Sequence, residues 1–115
     1  MGRGTILVVD DQDIVRDVMR LALEGAGYHV LDAATPTAAL EVVRACGEEI
    51  ELVLSDVVMP EMTAGELRGH ITRELPAVRV LFTSGYADEE IQGPFIQKPF
   101  SPAELVAKVG AVLDG

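Results

Sequence analysis

The stretch ILVVDDQD, residues 6–13, passes from four aliphatic side chains directly into a segment with three aspartates. A short, uninterrupted apolar run is typical of a strand that is buried on both faces of a sheet. Four further runs of this kind occur along the chain, at Val30-Leu31, Leu52–Leu54, Val80–Phe82 and Phe95-Ile96. Amphipathic stretches alternate with them, which predicts an α/β fold: a doubly wound, five-stranded parallel sheet with helices on both faces.

The first amphipathic stretch predicts a helix from Asp13 to Ala26 that ends before Gly27, a residue suited to a helix C-terminus. Asp11 or Asp13 is a candidate N-cap for this helix. Apolar residues recur here at helical spacing, and the buried stripe is expected to consist of Ile14, Val18, Leu21 and Ala22.

Three more helices are indicated by the residues that begin them. A cap residue followed by proline, or by glutamate three residues later, is a start signal. Such signals occur at Thr35-Pro36, at Thr63 with Glu66, and at Ser101-Pro102 with Glu104. Between the fourth and fifth strands, residues 84–94 leave room for one helical turn at most before Gly93-Pro94, so the helix there is expected to be shortened or absent.

Composition limits the classes of function. With 115 residues the chain is expected to form one domain, residues 1–115. Nineteen acidic and nine basic side chains give a net charge of −10, which disfavours direct binding to nucleic acid. No apolar run approaches the roughly 18 residues of a membrane span, and no signal-peptide core follows Met1. We therefore expect a cytoplasmic protein that has no membrane contact.

Polar side chains suited to phosphate chemistry come after four of the predicted strands, where parallel strands share one edge and ligands bind. They are Asp10 and Asp11, Asp56, Ser84 and Lys98. Two carboxylates ~4 Å apart repel each other by about 4 kcal/mol at an effective dielectric constant near 20, so converging acids need a cation. Oxygen ligands favour Mg²⁺ where phosphate is handled. Three carboxylates, one Mg²⁺ and the lysine would then sum to zero charge.

Each of these residues also has an ordinary structural explanation when it is taken alone. An aspartate after a strand is often a cap or turn residue, and Lys98 alone would be a solvated surface charge. The joint placement of matching residue types at four strand ends favours a phosphoryl site.

The sequence resembles the receiver domains of two-component response regulators, and in style the receivers found in or beside hybrid histidine kinases. The resemblance is carried by four strings in order: ILVVDDQD, LVLSDVVMPEM, VLFTSGYADEE and FIQKPFSPAEL. It implies a flavodoxin-like strand order of 2-1-3-4-5. It also implies a signalling domain that catalyses only its own phosphorylation and slow self-dephosphorylation.

By resemblance, Asp56 is the acceptor of a phosphoryl group from a histidine kinase or phosphotransfer protein. The downstream partner is not indicated. The resemblance implies that Mg²⁺ is held by Asp11, Asp56 and the backbone carbonyl of Val58, with Asp10 acting through water. Lys98 and Ser84 would contact the phosphoryl oxygens, and the Lys98-Pro99 bond would be cis. Ser84 and Phe95 would form the conformational switch, although Phe95 cannot donate a hydroxyl hydrogen bond.

Two other functions remain open from the sequence. Residues 11–15, Asp-Gln-Asp-Ile-Val, imitate the first motif of haloacid dehalogenase phosphatases, with Lys98 and Thr83 as candidate partners. That match is weaker, because Asp10 and not Asp11 follows the strand directly. A receiver-like interaction module that is never phosphorylated is the other alternative, but such modules usually lack an acid or the lysine.

Overall fold

In the computed structural model, which describes residues 3–85 and 93–115, one parallel sheet contains the strands. The described strands are β1 (Thr5–Val9), β2 (His29–Ala33), β3 (Ile50–Asp56), β4 (Arg79–Ser84) and β5 (Phe95–Gln97). Their spatial order is β2-β1-β3-β4-β5, so the predicted fold class and strand order are confirmed. The chain leaves β1 toward one side of the sheet and β3 toward the other, which opens a crevice at the carboxyl ends of these two central strands.

Helices cover both faces of the sheet. The described α-helices are α1 (Asp13–Gly25), α2 (Pro36–Cys46), α3 (Ala64–Glu74) and α4 (Pro102–Asp114), and a 3₁₀ turn spans Gly47–Glu49. Successive β1 residues point to opposite faces. Leu7 and Val9 pack in the core beneath α2 and α3. Ile6 and Val8 pack in the core beneath α1 and α4.

The helix starts agree with the predicted capping residues. The Thr35 hydroxyl accepts a hydrogen bond from the Ala38 N–H at 3.1 Å. Complete capping boxes join Thr63 to Glu66 and Ser101 to Glu104. Side-chain oxygens therefore satisfy backbone donors that a helix start otherwise leaves free.

The predicted buried stripe of α1 was wrong at three of its four positions and correct at Ala22. Ile14, Val18 and Leu21 are 80%, 51% and 60% exposed, whereas Met19 and Leu23 are buried. Val15 and Ala22 complete the buried side. The buried set has the same i, i+4, i+7, i+8 spacing as the predicted one, displaced by one residue and thus by about 100° around the helix.

Two arginines of α1 make contacts that agree with this rotation of the helix. The Arg16 guanidinium donates a hydrogen bond to the Asp10 carbonyl at 2.7 Å. Arg16 and Arg20 also lie 3.8 and 3.9 Å from the Asp32 carboxylate on β2. These contacts fix the polar side of the helix against the sheet edge. The N-cap is Gln12, so neither Asp11 nor Asp13 caps the helix.

Strand β5 is shorter than its neighbour. It pairs with β4 only from Phe82 to Ser84, opposite Phe95 to Gln97. The expected shortening of the helix between these strands concerns residues 86–92, which lie outside the described residues. None of the helices within 3–85 and 93–115 is long and apolar enough to cross a membrane.

A pair of leucine truncations in α1 tests which stripe supports the fold. Leu23→Ala is expected to lower the free energy of unfolding by about 2–5 kcal/mol, because Leu23 is fully buried. Leu21→Ala, the matched control, should change it by no more than about 0.5 kcal/mol. Urea unfolding of both variants measures the difference, and equal losses would contradict the observed rotation of α1.

Candidate functional site

Three carboxylates meet at the carboxyl edge of the sheet. Asp10 and Asp11 directly follow β1, and Asp56 ends β3. One carboxylate oxygen from each residue lies within 4.8 Å of the others. The Asp10 side chain is fully buried and that of Asp56 is 12% exposed, whereas Asp11 is exposed. The sequence prediction that these three acids converge is thus confirmed by their positions.

Lys98 supplies the opposing charge. Its Nζ lies 3.2 Å from Asp56 Oδ2 and 3.6 Å from Asp10 Oδ2. The backbone of Lys98 is tied to β4, because its N–H donates to the Ser84 carbonyl. The Lys98-Pro99 peptide bond is cis, as the resemblance implied. One ammonium therefore faces two of the three acids.

Asp10 is the most constrained of the acids. Its Oδ1 accepts a hydrogen bond from the Gln12 N–H at 2.8 Å. Its buried Oδ2 has no hydrogen-bond partner among the described residues, and Lys98 Nζ at 3.6 Å is its charged neighbour. Burial raises the pKa of Asp10, and the charges of Asp56 and Asp11 add to this effect, while the Gln12 hydrogen bond and Lys98 oppose it.

This acid cluster fits a hard divalent cation. All the side-chain atoms that could bind a metal are oxygens, and the buried Asp10 Oδ2 has no hydrogen-bond donor within residues 3–85 and 93–115. A cation would also offset the two effects that raise the pKa of Asp10, first its burial and then the nearby charges of Asp56 and Asp11. Asp10, Asp11 and Asp56 are therefore able to hold Mg²⁺.

Two hydroxyls end β4 beside these acids. Ser84 is 1% exposed and Thr83 is fully buried. Thr83 pairs in register with Asp56 on β3, and its hydroxyl lacks a hydrogen-bond partner within the described part of the chain. Ser84 pairs in register with Gln97, next to Lys98. The structure thus brings both hydroxyls to the sheet edge that carries the acids.

The remaining predicted site residues lie at the rim. Val58 is 62% exposed, and its N–H donates to Asp56 Oδ1 at 3.2 Å. Phe95, the predicted switch residue, is 36% exposed at the start of β5. Asp13, which the phosphatase alternative needs in the site, is exposed and bound by Arg16 instead. This placement argues against that alternative.

Sequence reasoning missed a positioning arginine. Arg16 contacts both the Asp10 carbonyl and the Asp13 carboxylate, so it ties the start of α1 to the end of β1. The sequence signal that could have identified it is an arginine one turn into the helix that follows Asp10 and Asp11. Its guanidinium is held in the ionised form, because the Asp13 hydrogen bond raises its pKa further.

A second contact missed in the sequence holds the loop after β3. Glu61 has a φ of +77°, a backbone region that side chains other than glycine seldom adopt. Its carboxylate accepts hydrogen bonds from the N–H and the hydroxyl of Thr37, at 3.0 and 2.7 Å. These bonds lower the pKa of Glu61 and fasten the loop to the first turn of α2.

Comparison with known proteins agrees with this geometry. Residues 6–110 match the family described as the response regulator receiver domain. The chain belongs to this family. It is therefore a receiver domain of two-component signalling, and the family is one of signalling domains. The resemblance found in the four sequence strings is confirmed.

Individual relatives of this receiver domain include whole proteins that are much longer. The chain is 36% identical over 121 residues to the sensor kinase CckA of Brucella abortus, covering 98% of this chain and 13% of the kinase. It is 38% identical over 120 residues to the phosphate regulon regulatory protein PhoB of Pseudomonas aeruginosa, covering 95% of this chain and 51% of PhoB. The chain thus spans about half, or less, of these curated relatives.

A solved structure supports the same assignment. The crystal structure of the receiver domain from the hybrid histidine kinase CckA is 35% identical and superimposes with a TM-score of 0.86. The match covers 96% of this receiver domain and 99% of that chain. The similarity to a hybrid-kinase receiver agrees with the style of the sequence strings.

Removing the buried charge of Asp10 should stabilise the receiver domain when no divalent cation is bound. Because burial raises the folded-state pKa of Asp10, the stability contributed by this group falls as pH rises through that pKa. Asp10→Asn should therefore unfold at higher urea than the parent at neutral pH in a chelator, and the gain should shrink toward acid pH. Asp114→Asn, an exposed control, should match the parent. A variant less stable than the parent at neutral pH would show that Lys98 outweighs the burial of Asp10.

Proposed function

We propose that this receiver domain accepts a phosphoryl group on Asp56 from a phosphohistidine of a histidine kinase or phosphotransfer protein. The observation that carries the proposal is the position of the Asp56 carboxylate, at the end of the central strand and 3.2 Å from Lys98 Nζ. The reaction requires Mg²⁺ and takes place in the cytoplasm. ATP there supplies the phosphoryl group that the donor kinase carries. Residues 1–115 act as one receiver domain.

Differences in exposure favour Asp56 over its neighbours as the acceptor. Asp10 is fully buried, so an incoming phosphorus atom cannot reach its oxygens. Asp56 is partly exposed, and its two oxygens are held by the Val58 N–H and by Lys98. A nucleophile that is oriented but accessible is what an in-line displacement needs.

In the proposed transfer, an Asp56 oxygen forms a bond to phosphorus while the bond from phosphorus to the donor imidazole breaks. Lys98 and the Ser84 hydroxyl then contact phosphoryl oxygens and stabilise their charge. Asp11, Asp56 and the Val58 carbonyl would hold Mg²⁺, with Asp10 acting through water, and the ion would supply further neutralisation of negative charge. In a later, slow step a water oxygen bonds to phosphorus while the bond from phosphorus to the Asp56 oxygen breaks, which releases inorganic phosphate and restores the Asp56 carboxylate.

The exposed side of α1 is the surface that we assign to the donor. This α1 face consists of Ile14, Val18 and Leu21, three large apolar residues that are more than half exposed. Helix α1 begins three residues after Asp10, so the α1 face starts beside the acid cluster. An apolar surface next to a reactive carboxylate suits a protein donor that covers the site during transfer.

The proposed response to phosphorylation uses the residues at the ends of β4 and β5. Ser84 would move toward the phosphoryl group and Phe95 would turn inward, so that two conformations of this edge exchange. Phe95 is 36% exposed and therefore has apolar area to bury in such a turn. The downstream partner that reads the change is not specified by these residues.

Substitution of the acceptor tests the transfer itself. The parent should gain one phosphoryl group when incubated with acetyl phosphate and Mg²⁺, and a chelator should prevent the gain. Asp56→Asn should show no gain, because an amide cannot form the acyl phosphate. Intact mass spectrometry measures both proteins, with Asp114→Asn as a control that should behave like the parent. Uptake by Asp56→Asn at the parent's rate would refute the assignment.

A charge placed on the α1 face should affect transfer from a protein donor but not transfer from a small-molecule donor. Leu21→Glu is expected to slow transfer from a phosphorylated histidine kinase by about tenfold or more, because an apolar contact is lost and a charge is desolvated. Its uptake from acetyl phosphate should be unchanged, since Leu21 is not part of the acid cluster. Ala107→Glu, on the exposed side of α4, is the matched control. Equal slowing with both donors would mean that the substitution disturbs the site and not the docking surface.

A further inference from the structure

The loop after β3 contains a strained turn at Glu61. The φ of Glu61 is +77°, and the Met62 N–H donates a hydrogen bond to the Pro60 carbonyl at 2.9 Å. A bond between residues two apart, around a central residue with φ near +75°, defines the rarer and more strained form of the γ-turn. Glycine would adopt this φ at little cost, whereas glutamate does so only where its surroundings hold it there.

The Glu61 side chain provides that hold by binding the start of α2. One carboxylate oxygen accepts both the N–H and the hydroxyl of Thr37, at 3.0 and 2.7 Å. Thr37 is the second residue of α2, so its N–H is one of the donors that a helix start leaves free. The partial positive charge at a helix N-terminus also favours a carboxylate. We call these two hydrogen bonds, which join residues 24 apart in the chain, the Glu61–Thr37 latch.

The latch holds one end of a loop whose other end contacts the proposed phosphoryl acceptor. The Val57 N–H donates to the Thr83 carbonyl on β4 at 2.9 Å. The Val58 N–H donates to Asp56 Oδ1 at 3.2 Å. Val57 and Met62 are partly buried against the core beneath α2 and α3. Val58 therefore lies between a segment fixed to β4 and a segment fixed to α2.

The backbone of Val58 depends on these flanking contacts. Its side chain is 62% exposed, so core packing contributes little to its position. Its hydrogen bond to Asp56 is at the long end of the usual range of distances, and such a bond alone orients the loop only weakly. The restraints on either side of Val58 therefore decide how its N–H and its carbonyl are presented to the site.

Taking Val58 as a Mg²⁺ ligand, as in the proposed function on which this inference rests, we propose that Glu61 is a positioning residue for the Val58 backbone. Bound to Thr37, Glu61 fixes the loop so that the Val58 N–H stays on Asp56 and the Val58 carbonyl stays available to the metal. Glu61 acts through the loop and supplies no ligand itself. Groups that orient metal ligands in this way commonly change metal affinity by roughly 10- to 100-fold.

Replacement of Glu61 by glycine tests the role on the whole receiver domain. Glu61→Gly should bind Mg²⁺ about tenfold more weakly in an amide NMR titration, because the loop loses the latch. Its urea unfolding in a chelator should stay near that of the parent, since relief of the strained φ offsets the lost hydrogen bonds. Glu41→Gln, which removes the same charge from an exposed position on α2, should match the parent in both measurements. Unchanged Mg²⁺ affinity in Glu61→Gly would overturn the proposal.

Substitution of Thr37 tests the latch from its other side. Thr37→Val should weaken Mg²⁺ binding by about threefold, because one of the two hydrogen bonds is lost and the backbone N–H remains. Thr37→Ser keeps the hydroxyl and should retain the affinity of the parent. Thr37→Val added to Glu61→Gly should cause no further loss, since both changes remove the same contact. A further threefold loss in the double variant would show that the two residues act separately, and would refute the latch.

The amide signal of Val58 in a chelator gives a test that does not involve the metal. Thr37→Val should shift this signal, whereas Glu41→Gln should not. Thr37 is far from Val58 in the chain, so the shift would have to pass through the latch. A parent that fails to bind Mg²⁺ would refute the proposed metal ligands, and the Val58 shift would still support the positioning role of Glu61. An unmoved Val58 signal in Thr37→Val would refute that role.

Discussion

Repulsion among the carboxylates of Asp10, Asp11 and Asp56 is the constraint that the rest of the site accommodates. Their oxygens lie within 4.8 Å of one another, and one of the acids is fully buried. Each partner of the cluster reduces that repulsion: Lys98 bridges two carboxylates, and the Gln12 N–H binds a third oxygen. The cluster keeps negative charge and, among the described residues, a buried acceptor without a hydrogen-bond donor. Both features suit a divalent cation and, through it, a phosphoryl group.

The fold maintains this arrangement by placing the acids at the carboxyl ends of two interior strands. β1 and β3 are the central strands, with neighbours on both sides, and the chain departs from them in opposite directions. Arg16 and Glu61 then fix the segments that leave these two strands: Arg16 holds the Asp10 carbonyl, and Glu61 fastens the loop after Asp56 to α2. Neither residue touches the reacting atoms, yet both limit how far the acids can separate.

The sequence alone was sufficient to predict those features of the structure that depend on residues close together in the chain. Capping boxes, buried strand runs and the convergence of strand ends need only short-range patterns, and Thr63, Ser101 and Asp56 were placed correctly. It failed on α1, because that helix has two apolar stripes of equal spacing, and the choice between them is made by packing against residues of other elements. The hydrogen bonds between Glu61 and Thr37 were missed for the same reason. No local sequence pattern predicts a contact between segments that are far apart in the chain. The positions of the site residues are now known, but the chemical roles assigned to them remain predictions. They are Asp10, Asp11, Asp56, Val58, Ser84, Phe95 and Lys98.

The buried side and the exposed side of α1 are under different kinds of evolutionary selection. Residues on its buried side are held by packing against Val8 and Leu54, and substitutions there reduce stability. Residues on its outer side are not constrained by core packing, because they are more than half exposed. On the proposed assignment of the α1 face to the donor, duplicated copies of such a gene could therefore diverge in partner choice through Ile14, Val18 and Leu21. The helix would allow paralogues to become insulated from one another's donors while their chemistry and their folding remained the same.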